Sequence, residues 1–179
     1  YHEEDGTISG VMIMASDVTE QVTAIKKMEE SENKFRVISE LMPEKIWTSD
    51  EKGNKIYFNK TMLDYLGATA EELTGGGWKK RIHPEDWISN ESTWQQSVTT
   101  GENYEAENRL LRKDGVYLWH LTRAIALRDY DGNIKGWVGS KTEIQEQKNQ
   151  QQHLENAVIN RTAQLLEVNK ELEQKNQEL

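Results

Sequence analysis

YEAENRLLRKDGVYLWHLTRAIALRDYDGNIKGWVGSK, residues 104–141, decides the fold. Its hydropathy alternates with period two on both sides of Asp114-Gly115, a pair suited to the tight turn of a β-hairpin. Residues 104–113 and 116–127 therefore read as long strands. Asp131-Gly132 turns the chain again, and residues 134–141 form a third strand. Upstream, Ile46-Trp47-Thr48-Ser49 and Lys55-Ile56-Tyr57-Phe58 read as a hairpin, closed by a turn over residues 50–54 that includes Gly53.

Helix signals fill the space between the two strand groups. Asn59 is a good N-cap for a short helix over residues 60–66, and Gly67 ends it. Thr69-Ala70-Glu71-Glu72 is a capping box, in which threonine and glutamate each satisfy an amide donor of the first turn. Gly75-Gly76-Gly77 breaks the chain. His83-Pro84-Glu85-Asp86 opens a further helix that runs to about Thr99, with proline and two acids where a helix start favours them. Two strands, small helices, then three strands make an α+β domain with a five-stranded antiparallel sheet and small helices on one face.

Long helices flank this unit. Residues 19–42 hold Val22, Ile25, Met28, Phe35 and Ile38 at three- and four-residue spacing, an amphipathic linker helix that Pro43 ends. From Thr142 onward the chain is polar and helical. Alternate steps of three and four from Ile144 reach Leu154, Val158, Leu165, Val168, Leu172 and Leu179, interrupted by Gln147, Gln151, Arg161 and Lys175. A seam of that period over five heptads predicts a coiled coil, with a second copy of the chain as partner. The alternative is a single helix docked on its own domain.

The first residues repeat the last strand. Residues 5–21, DGTISGVMIMASDVTEQ, align with residues 131–147, DGNIKGWVGSKTEIQEQ, with Asp5 matched to Asp131. This predicts a duplicated domain. Residues 1–18 are then the C-terminal strand of a preceding copy, 19–42 the linker helix, 43–144 the whole domain and 145–179 the coiled-coil helix. The stretch 10–15, lacking its own sheet, is expected to be mobile or paired with another chain.

Composition narrows the function. The chain has 179 residues, a net charge of −9 and no cysteine. Nucleic acid is therefore not the expected partner, and thiolate chemistry is excluded. Lys79-Lys80-Arg81 reads as a solvated surface. No apolar run is long enough for a membrane helix, and no membrane contact is expected from this segment. The hydrophobic share of 35% implies extended, exposed parts. Four histidines, His2, His83, His120 and His153, show no metal-ligand spacing. His83 reads as a helix cap, and His120 as a surface or satisfied strand residue. The glycine run lacks the Lys-Ser/Thr of a phosphate loop, and no acid pair stands out as catalytic. Six tryptophans, at 47, 78, 87, 94, 119 and 137, read first as core and sheet packing and second as the lining of a ligand pocket.

Several strings, in order, resemble the PAS domains of bacterial sensor histidine kinases. They are Ser31-Glu32-Asn33-Lys34-Phe35-Arg36, Phe58-Asn59 with Leu63-Asp64-Tyr65-Leu66-Gly67, Glu71-Glu72-Leu73-Thr74-Gly75, Ile82-His83-Pro84-Glu85-Asp86, and Arg112-Lys113-Asp114-Gly115-Val116-Tyr117-Leu118-Trp119. The resemblance spans residues 31–148. It implies a non-catalytic sensory and signal-relay module of the cytoplasm, dimeric through the C-terminal helix. The output domain on the same chain would be a histidine kinase, with a cyclase or a DNA-binding domain as alternatives. A PAS fold can enclose a small molecule, but many members with this type of sequence have no known ligand and the residues name none; the missing cysteine and the lack of a ligand histidine predict no cofactor. The family's sheet-to-helix junction, Asp-Ile-Thr-Glu, is matched by Asp17-Val18-Thr19-Glu20 and, with a longer acid and no threonine, by Glu143-Ile144-Gln145-Glu146. These four are the expected signalling junction. A passive dimerisation spacer is the competing reading.

Overall fold

Both Asp-Gly pairs sit at turns of one sheet in the computed structural model, which describes residues 19–177. The elements run α1 (Thr19–Leu41), β1 (Lys45–Ser49), β2 (Lys55–Phe58), α2 (Lys60–Leu66), α3 (Ala70–Leu73), a 3₁₀ segment (Thr74–Arg81), α4 (Pro84–Thr100), β3 (Tyr104–Leu111), β4 (Tyr117–Arg128), β5 (Ile134–Glu143) and α5 (Gln145–Gln177). The strand order is β2-β1-β5-β4-β3 with antiparallel pairing throughout. The chain divides at Ser39/Glu40 into a helical unit and a sheet-bearing unit. In the helical unit, α1 exposes Ile25 and Met28. The expected strand at 10–15 and the whole 1–18 segment lie outside the described residues, as does Leu179.

Element ends follow local hydrogen bonds. The strand expected over 104–113 stops at Leu111, because Arg112 N–H donates to Val116 O and Gly115 N–H returns to Arg112 O, closing the turn early. The last strand passes the expected end at Lys141. Thr142 pairs with Leu121 and Glu143 with His120, so the C-terminal helix starts at Gln145 rather than Thr142. The loops over 50–54 and 129–133 share one design. In each, the leading aspartate (Asp50, Asp129) accepts from two amides two and four residues on, and from the asparagine side chain that closes the loop.

Caps fix the helices against the sheet. Buried Asn59 caps α2 by accepting from Met62 N–H at 3.0 Å. It also accepts from Ile46 N–H and donates to Glu44 O, so one amide side chain holds α2 on β1. Thr69 and Glu72 form the expected capping box on α3. His83 Nδ1 accepts from Glu85 N–H at the start of α4, as the sequence predicts. Asp86 and Glu85 then clamp Arg109 of β3, with Asp86 oxygens 2.7 Å from both the Arg109 amide and its guanidinium.

The core lies between the sheet and α2–α4. Trp94 of α4 meets Trp47, Tyr104 and Trp137 edge-on, at centroid distances of 5.5, 5.1 and 5.2 Å. Phe58, Met62, Leu66, Leu73, Ile82 and Leu110 complete it. Gly139 makes room for Trp47, since a Cβ there would fall 2.3 Å from the Trp47 ring.

Candidate functional site

A bulge decides what the inner face of the sheet holds. Trp47 pairs with Phe58 and Thr48 with Tyr57, but Ser49 pairs with Lys55, leaving Ile56 as the extra residue. One extra residue reverses the alternation of side chains. Ile56, which shares a face with Phe58 in an unbroken strand, is 59% exposed, while Lys55 is buried. The Lys55 ammonium lies 3.0 Å from the centroid of Trp47 and 3.8 Å from that of Trp94, with Trp78 at 5.3 Å. Ring faces attract a desolvated cation, by about 2 kcal/mol in such settings.

A second lysine lies deeper. Lys141 of β5 pairs across the sheet with Lys45 on one side and Thr122 on the other. Its Nζ donates to Thr122 Oγ1 at 2.7 Å and to Asn108 Oδ1 at 3.2 Å. Asn108 passes the network on to Asn90 Oδ1 at 2.7 Å, which also accepts from Tyr104 OH at 3.0 Å. Lys45 places its own ammonium 4.5 Å over the Tyr65 ring. Burial pushes Lys141 down to about 7, and the neighbouring Lys45 charge adds to this. Burial also holds Lys55 well below the usual lysine range, with the Lys141 charge acting in the same direction and Glu91 against it.

Lys55, Lys141 and the Thr122, Asn108, Asn90 and Tyr104 groups of this network line a cavity of about 30 Å³. Its charged lining is Lys55, Lys141, Arg81 and Glu91, and its aromatic walls are Trp47, Phe58, Trp78, Trp87, Trp94 and Tyr104. An outer pocket of about 150 Å³ shares Lys55, Trp78, Glu91 and Trp94 with it and is edged by Gly75 and Gly76. Glu91 faces Lys79 at 3.8 Å through Oε1, and its Oε2 makes no hydrogen bond among the described residues. The same holds for the indole N–H of Trp47. Four of the six tryptophans line the cavity, so the packing and pocket readings describe overlapping sets of residues. Trp137 is fully buried and serves packing.

His120 departs from the sequence reading. It is fully buried, its ring edge-on to Tyr65 at 5.2 Å. Nδ1–H donates to Leu118 O at 2.8 Å, while Nε2 makes no hydrogen bond among the described residues, so these satisfy only half of the ring. Burial brings it down to about 4, and it is neutral at pH 7. Neither the buried lysines nor this histidine was legible as a site, because each falls in a strand whose alternation alone says nothing of bulges or of depth.

The expected junction residues gather at one end of the sheet. Ile144 is buried, and its N–H donates to Trp119 O at 2.8 Å. Gln145 Oε1 accepts from Trp119 N–H at 3.1 Å. Both backbone groups of one β4 residue thus hold the strand-to-helix corner. Glu143 accepts from Tyr65 OH at 3.2 Å. Lys148, one turn into α5, contacts Glu107 and lies 5.3 Å from the Trp119 ring centroid. Glu146 is exposed and accepts from Gln150. Beyond Gln150, α5 is exposed along its described length, with Leu154, Val158, Leu165, Val168 and Leu172 each at least half exposed. These seam residues therefore have no cover from their own domain.

Residues 55–140 match the family described as the PAS fold. Over 138 residues the chain is 33% identical to y4lL, an uncharacterized protein of Sinorhizobium fredii, across 77% of this chain and 17% of that protein. It is 31% identical to the peroxide stress-activated histidine kinase mak1 of Schizosaccharomyces pombe, across 64% of this chain and 7% of the kinase. It is 26% identical to the probable diguanylate cyclase DgcE of Escherichia coli, across 71% of this chain and 12% of that protein. The chain thus spans less than a fifth of the length of these relatives. An RNA-binding light-oxygen-voltage receptor shares the fold at a TM-score of 0.60 and 16% identity, over 84% of this chain and 41% of the receptor.

Proposed function

Residues 55–140 are a PAS domain, and on that premise we propose that the chain is a non-catalytic sensory and relay module. In this reading it dimerises through α5 and passes a change in the sheet to an output domain. The observation that carries it is the corner at Trp119, where Ile144 and Gln145 bind both backbone groups of β4. A shift of β4 against β5 then moves the start of α5 instead of being absorbed by a loose linker. The exposed seam supports a second copy as partner. Its polar positions, Gln147, Gln151, Arg161 and Lys175, weaken the helix pair and leave two packings close in energy, so a small bias selects one.

The kinase relative supports a histidine kinase as the output, with the module in the cytoplasm beside its ATP. The cyclase relative supports a diguanylate cyclase as the second reading of that output. Sedimentation of the chain tests the dimer. The expected result is a dimer at tens of micromolar and monomers for Leu165→Glu and Leu172→Glu. A monomeric parent chain would remove the relay's mechanical basis.

A further inference from the structure

Two ammonium groups lie inside the PAS core, and neither Lys55 nor Lys141 has a carboxylate within ion-pair distance among the described residues. An ammonium has three donors, and Lys141 uses two, on Thr122 and Asn108. An interior meant only for packing gains nothing from such groups, since burying a charge without a counter-charge is costly. Arg81 adds a third cation to the cavity wall, against the single acid Glu91, which is turned toward Lys79. The cavity is thus short of negative charge at its centre. Burial lowers both lysines, so the empty cavity disfavours their charged forms, and an anion seated between them would favour those forms again.

Size sets the class of anion. About 30 Å³ accommodates a group of two or three heavy atoms beside the Lys55 side chain. The outer pocket of about 150 Å³ lies on the other side of Lys55, Trp78, Glu91 and Trp94, so that a shift of the Lys55 side chain would join the two and give room for the body of the acid. A phosphate ester or a dicarboxylate brings a second charge that the aromatic walls would have to desolvate. An organic cation would meet three like charges.

We propose that this cavity is the receptor site for a small monocarboxylate, of acetate to pyruvate size, held between the Lys55 and Lys141 ammonium groups. The inference rests on the sensory reading and names its ligand class. Lys55 is the mobile half of the clamp, since ring faces rather than hydrogen bonds hold its ammonium among the described residues, and Lys141 is the fixed half.

The test uses the indole N–H resonances of the six tryptophans in the intact chain, with sodium chloride replaced by sodium acetate or pyruvate at constant ionic strength. The expected result is saturable shifts of the Trp47 and Trp94 signals at millimolar carboxylate, with no response to acetamide. Lys141→Met should weaken binding at least tenfold while unfolding no more easily than the parent chain. Saturation by neither carboxylate, an equal response to acetamide, or unchanged binding by Lys141→Met would each overturn the proposal. Because the chain lacks cysteine, a spin label at Asn160→Cys reports the α5 pair separately. Acetate binding without a change in label distance keeps the ligand site and sinks the relay.

Discussion

Lys141 shows how one residue ties stability to a site. Below about pH 7 its ammonium is charged in both folded and unfolded chains, and the folded chain carries the full desolvation cost. Between about 7 and the ordinary value of 10.5 the unfolded chain keeps the proton and the folded one does not. Stability contributed by this group therefore rises with pH through that window, by roughly 1.4 kcal/mol for each unit of displacement. Lys141→Met should unfold at higher urea than the parent chain at pH 7, with the difference shrinking toward pH 10. A difference that stays constant would mean that Lys141 is charged throughout. His120 gives the opposite edge of the pH range. Its folded value of about 4 lies below the ordinary 6.5, so stability is lost as pH falls from 6.5 to 4, by roughly 3 kcal/mol in all. His120→Leu should flatten that acid limb, and urea midpoints at pH 7 and 4.5 measure it.

Between elements, the contact of β5 on β1 depends on the absence of a side chain. A Cβ at Gly139 would meet Trp47 at 2.3 Å and Arg123 O at 2.8 Å, both inside contact distance. Gly139→Ala should therefore cost about 1–3 kcal/mol, the usual range for overpacking, and should alter the near-ultraviolet circular dichroism of Trp47. An unchanged unfolding midpoint would show that the ring has room to shift. Much at this scale was legible in the sequence, because caps and turns are local. Asn59, Thr69 with Glu72, His83 before Pro84, and the two Asp-Gly turns each announce their geometry within four residues. Other features depend on partners far along the chain. The bulge at Ile56 is a matter of register with β1, and it alone turns Lys55 inward. The depth of Lys141 and His120 comes from helices packed over the sheet. The two residues added to β5 come from Leu121 and His120 on β4. No local pattern carries these facts, so the junction and seam could be named from sequence while the charged cavity could not.

For the whole molecule, the relay makes a geometric demand that a passive spacer does not. If α5 is one rigid helix from the Trp119 corner to the seam, its azimuth fixes how each sheet faces the dimer axis. One residue inserted after Gln150 turns the domain by ~100° relative to the seam. Seven inserted residues turn it by nearly two full turns and leave it ~20° out of phase. They also raise both domains along the axis by ~10 Å, but they raise them together, so the separation between domains is unaffected. Spin labels at Glu51→Cys, in the exposed turn between β1 and β2, read that separation in the dimer. The expected outcome is a shift of several ångströms for the one-residue insertion and a distribution close to the parent's for the seven-residue one. Length alone predicts the reverse order, since seven residues perturb a tether more than one. Equal distributions in all three proteins would make α5 a flexible tether, and the corner at Trp119 would then anchor the helix without transmitting anything through it.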